Sequence, residues 1–367
     1  MKSEKIGLVE AIGLISIMII NNIIINAPKE IIQVVGTSSW LNVIYISIIV
    51  IFIVTILCTL FKKFTEYDLL DICDFLGGKT LKTIIGILYI SLLVISSILL
   101  LKNTCEILKL IYFKKSPLIF IALFFLVSAI ISNNFSIKVL CKVNLIILPL
   151  LILSIFVILL SSMKNFIPQL IFPILGYGAK QTFLTGLTNL TSFSGILYLF
   201  FINPFLNKNG DFKKVSLFSV ILSGICLFLS VISLILSLNF TLKSGEDFPL
   251  YLLARSVEYG RFLQRVDAIF IFIWIISSIS YLSFNIFFSL YIFKKLTNLS
   301  DTGAVKYAYG LFLLTLVIIP STYVTFVHSL ENFYKVACLI LIFGISLLIL
   351  LFANLKLKFI NKEKGHV

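Results

Sequence analysis

Thr188-Asn189-Leu190-Thr191-Ser192-Phe193-Ser194-Gly195-Ile196-Leu197-Tyr198-Leu199-Phe200-Phe201-Ile202-Asn203-Pro204 opens with six small or polar residues, Thr188, Asn189, Thr191, Ser192, Ser194 and Gly195, inside an otherwise apolar run that closes on Asn203-Pro204. The first apolar run of the chain has the same character, carrying Asn21-Asn22 in its second half and closing at Asn26-Ala27-Pro28. The two stretches lie five apolar runs apart. Irregular segments at corresponding positions in two five-helix halves point to an inverted-repeat transporter scaffold, whose discontinuous helices expose backbone groups to a small ligand near the bilayer midplane. Unpaired N–H and C=O groups at that depth are tolerated only where they line a cavity. The expectation is an all-α integral membrane protein of ten transmembrane helices, arranged as two inverted five-helix repeats with discontinuous helices 1 and 6.

Composition supports the membrane assignment: the 367 residues are 60% apolar and 13% charged, more apolar surface than a soluble core of that size can hide. A helix crossing about 30 Å of hydrocarbon needs roughly 20 mostly apolar residues. Ten such runs are present, near 8–27, 42–61, 84–101, 117–132, 144–163, 185–203, 215–239, 268–293, 307–326 and 334–355, with no linker or soluble domain between them, so 1–367 reads as a single transmembrane domain. Period-2 alternation is absent, which argues against barrel strands. Lys2 and Lys5 ahead of the first run resemble a signal peptide, but no small-residue cleavage pattern follows, and the run is kept as span 1. Cysteines 58, 73, 105, 141, 226 and 338 show no C-x-x-C spacing, which predicts free thiols and neither a zinc site nor a disulfide framework.

Candidate ligand-binding residues follow from polar groups at membrane depth: Asn21 and Asn22 in span 1, Ser96 in span 3, Thr191, Ser194 and Gly195 in span 6, with Tyr198 one turn further as an aromatic wall. In span 8, Ser277 and Ser280 bring hydroxyls to a similar depth, facing the same cavity or a small cation. The competing reading is packing, since Ser, Thr and Asn often hydrogen-bond between membrane helices or back to their own turn.

The net charge of +14 does not make a nucleic-acid surface, because the lysines sit in short loops rather than on one face with interleaved aromatics. They report topology instead. With the N-terminus in the cytoplasm, 18 Lys/Arg fall inside and 12 outside, so both termini are expected to be cytoplasmic. Between spans 2 and 3, Leu69, Ile72, Cys73 and Leu76 form one side of an amphipathic segment and Asp68, Asp71 and Asp74 the other, ended by Gly77-Gly78; a short interfacial helix is expected.

Charges at the outer thresholds are more specific. Lys102, Glu106 and Lys109 are spaced i, i+4, i+7 and can satisfy one another. All three arginines, Arg255, Arg261 and Arg265, fall just before span 8, following a Glu246-Asp247-Phe248-Pro249 helix start and divided by Gly260. Glu258 lies three residues from both Arg255 and Arg261, whereas Arg265 and Asp267 have no opposite charge at i±3 or i±4 and look for partners elsewhere. Glu106 is the candidate partner of Arg265, with lipid phosphate as the alternative. Guanidinium offers a directional fork that lysine lacks, so Glu106, Arg261, Arg265 and Asp267 are read as a coupling or interface group.

Phe248-Pro249, Arg255, Gly260-Arg261-Phe262-Leu263-Gln264-Arg265-Val266-Asp267 and Trp274, together with Pro28, Ser192-Phe193-Ser194-Gly195, Glu106, Lys109 and Pro117, resemble the B subunits of spore germinant receptors, over essentially all ten spans. The resemblance implies a fold similar to the amino acid–polyamine–organocation transporters, used for sensing a small nutrient germinant such as an amino acid. It also implies partners, an A subunit and a C-subunit lipoprotein, in the inner membrane of the spore, besides the membrane lipid itself. The chain departs from the family pattern at Asn21 and Asn22, where relatives carry glycines, and at Leu197, where an acid is often found. An enzyme is the least attractive class: His328 and His366 are the sole histidines, and no nucleophile–base, metal-ligand or cofactor-binding pattern is visible. The contest lies between a sensing subunit and an amino acid or cation-coupled permease, which fold alone does not separate.

Overall fold

A computed structural model describes residues 5–208, 211–237, 248–255, 266–299, 303–318 and 324–364. These form an all-helical, multi-pass membrane protein. Eight described stretches are long and apolar enough to cross a bilayer, Leu8–Ile25, Ala27–Phe61, Leu69–Ile111, Ile137–Asn165, Ala179–Phe205, Asp211–Ser237, Asp267–Thr297 and Val327–Ile360, and two shorter apolar helices, Leu118–Ser132 and Gly303–Ile318, lie among them. In chain order the α-helices are α1 (Leu8–Ile25), α2 (Ala27–Val35), α3 (Ser39–Phe61), α4 (Leu69–Ile111), α5 (Leu118–Ser132), α6 (Ile137–Ser162), α7 (Ala179–Phe183), α8 (Leu199–Ile202), α9 (Asp211–Ser237), α10 (Pro249–Arg255), α11 (Val266–Thr297), α12 (Gly303–Ile318), α13 (Val324–Cys338) and α14 (Ser346–Lys364).

Helix α1 is the axis of the bundle, packed against α6, α9, α11 and the segment 185–198, and its side chains from Leu14 to Ile20 are all buried. One end of the bundle gathers residues 5–6, 64–71, 203–206 and 291–295 through Ile6 N–Phe205 O (2.7 Å), Asn203 Nδ2–Phe64 O (2.9 Å) and Lys295 Nζ–Asp68 (2.6 Å). This is the end that the lysine distribution assigns to the cytoplasm and is called inner; the opposite end, with residues 26–37, 173–182 and 327–335, is called outer.

Three spans depart from α geometry. The first breaks at Asn26 (φ −137°, ψ −20°), because Pro28 has no N–H for the carbonyl four residues back, Ile24. The 14 residues Thr185–Tyr198 wind as a 3₁₀ helix, with Phe193 off helical geometry (φ −97°, ψ 20°); its rise of about 2.0 Å per residue stretches this segment relative to an α-helix. Between α13 and α14, Leu339–Ile345 form a π-helical segment that packs against 185–198.

Two expectations change here. Asn21 and Asn22 lie inside unbroken α1, and the discontinuity falls four residues later: their side chains find partners on other elements, so the backbone ladder stays closed. In the amphipathic segment, Asp68 is not on the solvated side but fully buried. It caps α4, accepting from Asp71 N at 3.0 Å, while the Asp71 carboxylate accepts from Asp68 N at 3.2 Å. Gly77 and Gly78 then turn the chain into the long part of α4, Gly78 in the left-handed region (φ 67°) that L side chains rarely adopt. The outer helix expected before span 8 is α10, with Pro249 at its first position. All six cysteines are free and buried.

Candidate functional site

A cavity of ≈ 80 Å³ opens where the break at Asn26 meets the 3₁₀ segment. Asn22, Ile25, Asn26, Ala27 and Glu30 line it from α1 and α2, Ser96, Leu99, Leu100 and Asn103 from α4, Thr191, Ser192 and Ser194 from the 3₁₀ segment, and Glu331, Tyr334 and Lys335 from α13. It continues outward into a wider space of ≈ 290 Å³ that Lys29, Gln33, Lys102, Glu106, Phe248 and His328 join. The inner half beneath is filled by Phe200, Phe201, Phe205, Phe288 and Tyr89, with Tyr89–Phe201 ring centroids 5.0 Å apart.

The sequence candidates divide. Asn22, Ser96, Thr191 and Ser194 line the cavity. Asn22 Nδ2 donates to Ser194 Oγ at 2.7 Å, tying spans 1 and 6 across it, and Ser96 Oγ accepts from Asn285 Nδ2 of α11 at 3.0 Å. Asn21 points away to α11: its Nδ2 donates to Ser277 O (3.1 Å) and Ile17 O (3.4 Å), and its Oδ1 lies 3.4 Å from Ser277 Oγ and 3.5 Å from Ser278 Oγ. Ser277 also donates to Trp274 O at 2.9 Å, so its hydroxyl and carbonyl serve helix contact rather than the cavity. Ser280 donates to Asn144 Oδ1 of α6. Tyr198 is buried below the cavity and donates to Asn285 Oδ1. Gly195 is a packing residue: a Cβ there would stand 2.7 Å from Ile19 N and Met18 C, so only glycine lets the 3₁₀ backbone lie directly on α1.

Helix α11 therefore supports the cavity from beneath, and among the described residues the fourth wall is α13. Sequence reasoning passed over Glu30, Asn103, Glu331, Tyr334 and Lys335, while Asn26 and Ser192 fell within the two irregular stretches without being named as ligand contacts. The signal for two of them was present, since Glu331 and Lys335 are an i, i+4 charge pair at the head of the last apolar run, the same pattern that singled out Lys102 and Glu106. The π segment has no comparable sequence mark.

Of the coupling group, Glu106 lines the outer space with Lys102 Nζ at 3.9 Å, and Asp267 is buried near the start of α11. Arg261 and Arg265, like Glu258, lie outside the described residues. A different charged cluster occupies the inner end. Lys295 Nζ of α11 contacts Asp68 at 2.6 Å and Asp71 at 2.7 Å, and Tyr291 Oη donates to Asp68 at 2.7 Å. Burial pushes the Asp68 carboxyl above the ordinary aspartate range, against the pull of the Lys295 ammonium. From the cavity floor to this cluster, Asn285, Phe288, Tyr291 and Lys295 follow one another at helical spacing along α11, and Phe205 packs on both Phe288 (6.4 Å) and Tyr291 (5.2 Å).

The family model described as "Spore germination protein" matches residues 5–322, and the chain belongs to that family. Spore germination protein B2 of Bacillus subtilis (strain 168) is 24% identical over 278 residues, covering 74% of this chain and 75% of that protein. Spore germination protein KB of the same organism is 22% identical over 291 residues, covering 78% of each. Among solved structures, the manganese transporter of Eremococcus coleocola in complex with an aromatic bis-isothiourea substituted compound is similar at a TM-score of 0.60 and 13% identity, over 93% of this chain and 76% of that one. At that identity the likeness is one of fold: the germination-family chain has a transporter-like architecture.

Proposed function

We propose that this member of the spore germination protein family is the nutrient-sensing membrane subunit of a germinant receptor in the spore inner membrane. A small polar germinant, such as an amino acid, enters from the outer side, binds in the cavity between spans 1, 3, 6 and 10, and changes the balance of bundle conformations read by partner subunits, an A subunit and a C-subunit lipoprotein. Ten spans in two inverted five-span repeats, with both termini cytoplasmic, are the architecture that goes with this reading. The observation that carries it is the position of the cavity: it opens at one end of the bundle, where the break at Asn26 meets the 3₁₀ segment, and its floor is sealed by packed aromatics. Polar side chains from different elements already bond across it, as Asn22 does to Ser194, so a ligand that replaces such a contact favours one arrangement over another. Only that differential affinity can shift a population.

The alternative is a permease that carries its ligand across, favoured by the fold shared with a manganese transporter. The two readings separate in proteoliposomes containing this chain alone. Saturable binding of a solute, with no accumulation of the radiolabelled solute above empty vesicles, is the expected result. Saturable, ion-coupled uptake without partner subunits would establish the permease.

A further inference from the structure

The cavity and its outer extension meet at five shared residues, Asn26, Glu30, Asn103, Glu331 and Lys335. Three of these are charged, and they face one another across the neck: Glu30 stands on α2, and Glu331 and Lys335 occupy successive turns of α13. Lys335 Nζ lies 3.1 Å from Glu30 Oε1, with the two side chains 30% and 26% exposed, so the pair is partly withdrawn from water and bridges two helices. Glu331 is only 17% exposed, and its His328 neighbour, at 3.4 Å, is 72% exposed and cationic only when protonated. Among the described residues, the charged side chains lining the cavity proper are thus two carboxylates against one ammonium, whereas the outer extension has three lysines for three glutamates.

This arrangement discriminates by charge. A partly desolvated ion pair is costly to break unless something takes the place of the departing partner. An incoming ammonium can do so: it replaces Lys335 on Glu30 and lies within reach of Glu331, while Lys335 swings outward on its flexible stem as a mobile point charge. A neutral solute supplies no such substitute, and a lone anion meets two carboxylates.

We propose that Glu30, Glu331 and Lys335 form a charge-selecting neck that admits solutes carrying a protonated amine, whose ammonium displaces Lys335 from Glu30. This rests on the cavity being the ligand site. The test uses the full chain in lipid nanodiscs and a panel of small solutes in four charge classes: amines, zwitterionic amino acids, carboxylates, and neutral polyols and sugars. Binding is read as thermal stabilisation and then as Kd. The expected hits are amines or zwitterions, with Glu30→Gln weakening them at least tenfold. Glu30→Gln with Glu331→Gln removes both carboxylates, leaves Lys335 free to reach the outer extension, and is expected to fold, yet to lose the amine-bearing hits. Hits confined to carboxylates or neutral solutes, or amine binding unchanged in both variants, would overturn the neck while leaving the cavity as a ligand site. No binding by any class to the wild-type chain would overturn both.

Discussion

Asn21 and Asn22 are neighbours in sequence but about 100° apart around α1, and that angle gives them different work. Asn22 faces the cavity and bonds to Ser194, while Asn21 faces α11 and is occupied by Ser277 and Ile17. Replacing Asn22 by Ala is expected to weaken ligand binding about tenfold, the equivalent of roughly 1.4 kcal/mol. Replacing Asn21 by Leu is expected to leave affinity within about twofold, and either change, which removes a contact between elements, lowers stability by roughly 0.6–1.7 kcal/mol, the range found for polar contacts between membrane helices. Titration and thermal unfolding of both variants in nanodiscs check the division. If Asn21→Leu abolished binding, its role as a contact between helices would be wrong. From the sequence, both residues were legible as polar groups at membrane depth. Which way each points depends on the phase of α1 against two other helices, and neighbouring residues in one run contain no record of that. Gly195 shows the same limit, since it reads equally well as a ligand contact or as the place where two backbones touch.

At the scale of elements, α11 has a row of residues, Asn285, Phe288, Tyr291 and Lys295, that begins under the cavity and ends in the inner charged cluster. Lys295→Gln leaves Asp68, fully buried, and Asp71 without their shared cation, and breaking a buried pair from one side costs about 3–5 kcal/mol. Adding Asp68→Asn to Lys295→Gln removes one of the stranded charges and is expected to recover part of that loss, which a double-mutant cycle by thermal unfolding measures. Full additivity of the two single losses would mean that Asp68 and Lys295 do not act as a pair. In sequence this inner end looks like an ordinary amphipathic segment, far less conspicuous than the three arginines before span 8. The acids were visible. Their burial was not, because it depends on α11 crossing the start of α4.

Over the whole molecule, a polar cavity at one end and a sealed aromatic half at the other give the bundle a direction. The lysine distribution orients it with residues 62 and 63 inside and residues 114 and 115 outside. Lys62 and Lys114 are both exposed and the six native cysteines are buried. A membrane-impermeant maleimide added to right-side-out vesicles is therefore expected to label Lys114→Cys and not Lys62→Cys; the opposite pattern would invert the topology and place the cavity on the cytoplasmic face.

The sequence by itself determined the class: apolar runs of spanning length permit hardly any structure in lipid except helices, because every backbone polar group must be satisfied within the segment. It also marked two of the irregular spans, through Pro28 and the polar head of 188–195. Tertiary structure alone decided that α13 completes the cavity while α11 lies beneath it, that Glu30 meets Lys335 across its neck, and that Asp68 is buried against Lys295. The physical reason is the range of the interactions. Burying a helix in a bilayer is a property of about 20 consecutive residues, whereas an ion pair between residues 30 and 335 exists only once the helices carrying them have been packed side by side.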